Sequence, residues 1–268
     1  MYEQVIKEVT STLKATASVV ALLLAGSYVR RRAGAVEAIG DLDFIAITTS
    51  RVEPRFHEVG LGLQQSGVGS LVRCDDALRG LHPSGVVVSV AIRSAESINA
   101  EVTAFTLGKR FSGDRYRWAV GCSLPEGFAA DIYTARVLFD VGGLTEKLRQ
   151  ELIPYPLAAR TAILKYCVKE TQGKIILLRQ GDLDSITKLI LVADVTIALV
   201  RTAWALERKY LPTLKKINRF SAEITGEGRV FLVIAQIFCG DVSCNRDVSR
   251  TLERVVELTE RLHAQLTG

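Results

Sequence analysis

Histidine and cysteine are both scarce in this 268-residue chain, and each scarcity removes a class of chemistry. The three histidines, His57, His82 and His263, lie far apart, leaving little material for a histidine-based metal site or catalytic triad. The five cysteines (Cys74, Cys122, Cys167, Cys239, Cys244) are odd in number, irregularly spaced and include no CxxC pair. That pattern argues against a disulfide framework or structural zinc and for reduced thiols in a cytosolic protein. Low-complexity runs, internal repeats and charged tails are absent. So is a signal-peptide core, because the opening MYEQVIKEVTSTLK has the texture of an amphipathic helix. Long hydrophobic runs are nearly missing too. SVVALLLAG is too short to span a bilayer, and the longer stretch 186–204 carries Asp194 and Arg201 in mid-run. The expectation is a cytoplasmic protein with no membrane partner.

What the chain does have is apolar material, 48% of its residues, enough for two modest cores. Its net charge of +5 is mildly basic, which suits a nucleoside triphosphate and suits nucleic acid equally.

Hydrophobic periodicity divides the chain in two. Val5, Val9 and Leu13 mark one face of a helix over 2–16. An apolar run from Ser18 to Ala25 then stops abruptly at Gly26-Ser27, as a buried strand does on entering a turn. DLDFIAIT (41–48) and VVVSVAI (86–92) are two more strands, and ARVLFDVGG is a short fourth ending in a glycine turn. Helices are expected over 51–66 and over SAESINAEVTAF, with a loop or hairpin at TLGKRFSGDRYRWAVG. From Leu144 onward, helical patterns take over: 144–152, 156–179, 183–209, 212–224, 228–239 and 246–266. Leu183, Ile186, Ile190, Ala193, Ile197, Val200 and Trp204 form an apolar stripe on the third of these. The fold class expected is α+β, a small mixed sheet with flanking helices over 1–142 followed by an all-helical bundle over 143–268.

Chemistry concentrates at two places. Asp41 and Asp43, two apart on a strand, point to the same side because strand side chains alternate. Two carboxylates beside an apolar strand repel each other unless a cation sits with them. A hard divalent ion, Mg²⁺ or Mn²⁺, is the natural counterion for such oxygens. Gly26-Ser27, at the end of the preceding strand, can offer backbone N–H groups and a hydroxyl to a phosphate. Metal and phosphate cradle together are the apparatus of phosphoryl or nucleotidyl transfer.

The segment LLLAGSYVRR…GDLDFIAI resembles the signature of the polymerase-β-like nucleotidyltransferase superfamily: an apolar strand, Gly-Ser, a short interval, then Asp-x-Asp in a second strand. The resemblance implies that Asp41 and Asp43 hold the metals that bind the triphosphate, that Ser27 contacts its phosphates and that Gly26 shapes the turn. Arg30, with Arg31 and Arg32, either neutralises triphosphate charge or belongs to a solvated basic stretch. The family adds a third carboxylate on a later strand. In VVVSVAI that position is Ser89, which leaves Glu96, Asp114 and Asp131 as alternative sources.

ARVLFDVGGLTEKL resembles the segment closing the transferase domain of aminoglycoside- and lincosamide-modifying members. Phe139 stands for the usual tyrosine, and Asp140 matches, as a turn or helix cap or, alternatively, in catalysis. ALERKYLPTLKKI resembles a helix-turn-helix stretch of the same enzymes, with Glu207 replacing an asparagine; Tyr210, Lys215 and Lys216 either reach the substrate or lie on the bundle surface. Lys109, Arg110, Arg115 and Arg117, interleaved with Phe111, Tyr116 and Trp118, form a substrate lip or an ordinary charged hairpin. Asp194, Arg201 and Arg208 recur every seven residues, as the wet side of a helix or the lining of a cleft. Asp182 and Asp184 open a helix, which capping explains better than metal binding.

The leading expectation is thus a metal-dependent enzyme that moves a nucleoside monophosphate from a triphosphate to a hydroxyl of a small, antibiotic-like acceptor, in resistance or self-protection. The alternatives are the same chemistry on tRNA or protein, against which stands the lack of an appended RNA-binding module, and a degenerate homologue that binds nucleotide without turnover. A homodimer is compatible with each.

Overall fold

The computed structural model describes residues 1–29, 41–49, 55–74, 76–109, 125–180, 183–211, 221–243 and 249–267. In chain order the described elements are α1 (Tyr2–Ala15), β1 (Val19–Ala25), the single turn α2 (Gly26–Val29), β2 (Asp41–Thr48), α3 (Arg55–Gln65), β3 (Gly69–Cys74), β4 (Ala77–Leu81) and β5 (Val87–Ser94). They continue with α4 (Ala95–Thr106), α5 (Pro125–Thr134), β6 (Arg136–Asp140), α6 (Leu144–Leu152), α7 (Leu157–Leu178) and α8 (Ser185–Leu206). A 3₁₀ turn at Ser221–Glu223, α9 (Gly228–Ser243) and α10 (Ser249–Thr267) complete them. The class is α+β. Most of the helix expected over 212–224 lies outside the described residues.

The chain forms two compact units, Met1–Thr103 with Phe128–Pro154, and Ala104–Gly127 with Tyr155–Gly268. The first holds a mixed six-stranded sheet in the order β3-β4-β5-β2-β1-β6. Only β2 and β5 run parallel, while the β1–β2, β1–β6, β3–β4 and β4–β5 pairs are antiparallel. The four strands expected from the sequence are β1, β2, β5 and β6, and the hairpin β3–β4 was not expected. Its outer strand, GSLVRC, is mostly exposed, so it lacks the alternation that betrays a half-buried strand.

The pleat gives the sheet two different faces. Leu22, Leu24, Leu42, Phe44, Ala46, Val88, Val90 and Ile92 share one core with Val5, Val9 and Leu13 of α1 and Phe56, Val59 and Leu63 of α3. Each fully buried Leu, Ile, Val or Phe among them contributes about 1.5–3 kcal/mol relative to an exposed one. The intervening residues of β2 and β5, Asp41, Asp43, Val87 and Ser89, are only half buried on the opposite face. That division holds the carboxylates clear of the core.

In the second unit α8 packs against both α7 and α9, and α10 lies along α7. Ala159, Ile163, Cys167, Thr171 and Ile175, every fourth residue of α7, are buried. On α8 the buried stripe runs through Leu191, Val195, Ala198 and Thr202 with Val192 and Leu199. This corrects the expected stripe in its first half: Ile186 and Ile190 are exposed, Leu183, Ala193 and Ile197 are half-buried, and only Val200 and Trp204 are buried as expected. An all-apolar helix offers several equivalent stripes, and its neighbours select one. By length and composition α8 alone among the described helices could cross a bilayer, yet 61% of its apolar window is buried inside the protein, as in a core helix.

Arg201 also departs from expectation. It is not on a wet face but 4% exposed, with its guanidinium donating through Nε and Nη2 to both carboxylate oxygens of Glu126 and lying 5.0 Å from the Tyr166 ring centre. Asp194 is partly buried and paired with Lys174 at 2.8 Å, and of the three only Arg208 is exposed.

Candidate active site

β1 ends at Ala25, directly opposite Asp43 on β2, and the chain turns at once through Gly26, whose φ is +70°. A Cβ built on Gly26 would stand 2.2 Å from Asp43 Oδ2, so the bare backbone of the turn lies against that carboxylate. Only glycine tolerates both the left-handed backbone and the approach. Ser27 follows, and its Oγ is buried with no hydrogen-bond partner among the described residues. A buried hydroxyl left without a partner carries a desolvation cost that a ligand oxygen can relieve.

The turn is anchored from behind. Tyr28 donates its hydroxyl to Glu3 Oε1 at 2.6 Å, and Arg136 of β6 donates to both Glu3 oxygens at 3.3 Å. The Arg136 hydrogen bond, then that from Tyr28, keeps the Glu3 carboxyl below its ordinary range. These contacts fix the start of α1, the strand end and the Gly-Ser bend to one another.

Register extends the site across the sheet. Asp43 on β2 pairs with Ser89 on β5, and Ser89 with Arg79 on β4, so Ala25, Asp43, Ser89 and Arg79 form a row on one face. The Arg79 guanidinium lies 3.6 Å from Asp41 Oδ2. Sequence reasoning missed Arg79 because it missed β4; the one signal available was the brief alternation in ALRGL. Asp41, Asp43, Gly26, Ser27 and Ser89 are thus brought together, while Arg30, Arg31 and Arg32 lie outside the described residues.

No third acid joins the pair: among the described residues no group of three His, Cys, Asp or Glu side chains could hold a metal. Glu96 follows the far end of β5, roughly 16 Å of strand beyond Ser89 at 3.3 Å per residue. Asp131 sits on α5, and Asp114 lies outside the described residues. Two same-face carboxylates beside a bare glycine turn and an orphaned hydroxyl fit one hard cation whose remaining ligands are water and phosphate oxygens.

Other candidates have structural employment. Asp140 accepts the Leu144 amide at 3.1 Å and the Thr145 amide at 2.8 Å, capping α6. Burial pulls its carboxyl upward, but the amides of Thr145, Leu144 and Gly142 outweigh it and hold the group below its usual range. Asp184 caps α8 through Ile186 and Thr187, and Asp182 lies outside the described residues. Glu207 accepts the Gly228 amide at 3.0 Å, bracing the start of α9. Tyr210 packs on Tyr155 and Phe105, with ring centres 4.8 and 6.1 Å away, and burial drives the Tyr155 hydroxyl pKa upward. Lys109 is exposed; Arg110, Phe111, Arg115, Tyr116, Arg117, Trp118, Lys215 and Lys216 lie outside the described residues.

No protein-family model matches the chain, and no curated protein does. Among solved structures it is similar to a nucleotidyltransferase-like protein from Exiguobacterium sibiricum, at 10% identity and a TM-score of 0.46, covering 98% of this chain and 74% of that one. A second similarity is to the CD-NTase CdnG of Bradyrhizobium diazoefficiens in complex with GTP, at 13% identity and a TM-score of 0.28, covering 97% and 92%. Likenesses this remote do not define function, which has to be read from the side chains.

Proposed function

We propose that the chain is a nucleotidyltransferase that moves a nucleoside monophosphate from a triphosphate to a hydroxyl of a small-molecule acceptor of antibiotic or sugar-alcohol type. The observation that carries this reading is the contact of the Gly26 backbone with the Asp43 carboxylate, with Asp41 on the same strand face. Asp41 and Asp43 would hold Mg²⁺ or Mn²⁺, which when bound neutralises phosphate charge and polarises the phosphoryl oxygens. The Gly26 amide and Ser27 Oγ meet the phosphates, and the sequence resemblance gives Arg30 the role of neutralising triphosphate charge. The acceptor oxygen bonds to the α-phosphorus in line with the departing group. The bond to the bridging oxygen breaks, pyrophosphate leaves, and the hydroxyl proton passes to solvent. We assign this chemistry to residues 1–142 and the site of action to the cytoplasm.

Pyrophosphate release across a panel of hydroxyl acceptors tests the proposal. Asp41→Asn is expected to abolish release while leaving the circular dichroism spectrum unchanged, because it removes cation-binding charge without touching the core. Undiminished release from that variant contradicts the assignment.

Ser89 in the row beside Asp43 and Arg79 beside Asp41 favour a second reading, a nucleotide-binding protein without turnover. Tight triphosphate binding with no release under any acceptor distinguishes it from the first.

A further inference from the structure

The sheet face that carries the acids continues past them. Two rows run outward from β2: Asp41, Val87 and Leu81 in one, and Asp43, Ser89, Arg79 and Val72 in the other. Residues paired across strands share a face, so all of them lie on the side away from α1 and α3. Toward one end this face is closed, since Ile45 and Ile47, which follow Asp43 on the same side of β2, are buried. Toward β3 it is open: Val87 and Ser89 are half-buried, Leu81 is 51% exposed and Val72 58%. The Arg79 guanidinium reaches back to within 3.6 Å of Asp41 Oδ2, so its aliphatic stem crosses β5 and adds methylene surface to the open part. Single exposed apolar side chains are ordinary on any protein. The position of these is not, because at about 4.8 Å per strand the shelf begins about 5 Å from the acids and ends roughly 14 Å away.

We infer that Val72, Leu81, Val87 and the Arg79 stem form the acceptor subsite, which takes a hydroxyl carried beside an apolar ring face rather than an open-chain polyol. The inference rests on the reading of Asp41, Asp43 and the Gly26-Ser27 bend as the seat of the cation-bound triphosphate. On that reading the bend, at the end of β1, holds the phosphates that leave as pyrophosphate, and the acids lie one strand further across the sheet. In-line displacement puts the attacking oxygen opposite the leaving group, on the β5 side. An acceptor entering from that side meets the shelf. A ring laid on Val72 and Leu81 removes apolar surface from water. A polyol there gives up hydration with no polar partner in those side chains to replace it. Of the acceptors that the proposed function allows, the shelf therefore selects the cyclic, antibiotic-like type.

The test follows the Val and Leu methyl resonances by nuclear magnetic resonance in protein bearing a nonhydrolysable purine nucleoside triphosphate and Mg²⁺, with 2-phenylethanol and glycerol as acceptor probes. 2-Phenylethanol is expected to shift the Val72 and Leu81 methyls through its ring current, and glycerol to leave them in place. Leu81→Asp should weaken 2-phenylethanol binding by about fivefold or more. Its triphosphate affinity, measured by calorimetry, should stay at the wild-type value, whereas a merely structural role would lower both. Val72→Thr, a milder change at the same shelf, should move probe binding in the same direction, and circular dichroism checks that each variant is folded. Triphosphate alone shifting the Val72 and Leu81 methyls would put the base on the shelf in place of the acceptor and overturn the inference. So would 2-phenylethanol that shifts them no more than glycerol does while Asp43→Asn is impaired in triphosphate binding, a result that leaves the parent reading standing. Should Asp43→Asn bind triphosphate as tightly as wild type, the parent reading fails and the acceptor subsite with it.

Discussion

Gly26 has no room for a side chain, since the place where its Cβ would sit is 2.2 Å from Asp43 Oδ2, and its φ of +70° disfavours any L-residue. Gly26→Ala is therefore expected to cost about 1–2 kcal/mol from backbone strain alone. It should also push the carboxylate off its position, so that triphosphate affinity in Mn²⁺ falls by about tenfold or more. Urea denaturation and calorimetry on the same variant measure the two effects; a loss of stability with full affinity would uncouple the turn from the site. Asp140 offers a pH-dependent check at the same scale. Its carboxyl is held below its usual range in the folded protein by amides that outweigh burial. The stabilisation it gives is present above the unfolded carboxylate pKa near ~3.9 and is lost as pH falls through the lower folded value. Asp140→Ala should cost about 1 kcal/mol at neutral pH. The gap to wild type should start to narrow as pH falls below about 4 and close only below the lower folded value, and a gap unchanged through that range would rule out the capping role.

Elements were legible where their periodicity was their own and illegible where a partner set it. β1 and β2 announce themselves by apolar runs broken at Gly26 and opened by Asp41, so the strand–turn–strand frame of the site could be read directly. β3 and β4 could not, because an exposed edge hairpin needs neither alternation nor a long apolar run, and Arg79 was lost with them. On α8 the spacing of Asp194, Arg201 and Arg208 suggested a wet face, yet Arg201 is buried against Glu126, a partner 75 residues earlier. Nothing local in sequence announces such a pair. Its energetics give a prediction: Arg201→Leu strands a buried carboxylate and should cost about 3–5 kcal/mol. Glu126→Leu/Arg201→Leu should recover much of that loss in chemical denaturation followed by far-UV circular dichroism. A double variant no more stable than the single one would mean that the pair's value lies in packing rather than charge.

At the scale of the molecule, each unit carries its own core, and the candidate site belongs wholly to the first, on the sheet face that α1 and α3 do not cover. Two alternating acids on β2 suffice to predict that they share a face. They do not predict that the preceding turn lies against one of them, which depends on the antiparallel register that sets Ala25 opposite Asp43. Nor does sequence reveal the charge of the whole row, since that needs the order of four strands. The central claim is that Asp41, Asp43 and the Gly26-Ser27 bend together grip a cation-bound polyphosphate. Calorimetric titration with a nonhydrolysable nucleoside triphosphate, with and without Mn²⁺, compares wild-type protein with Asp43→Asn most directly. The account predicts Mn²⁺-dependent binding that weakens by about tenfold or more in the variant. Binding that ignores both the metal and the substitution would contradict it.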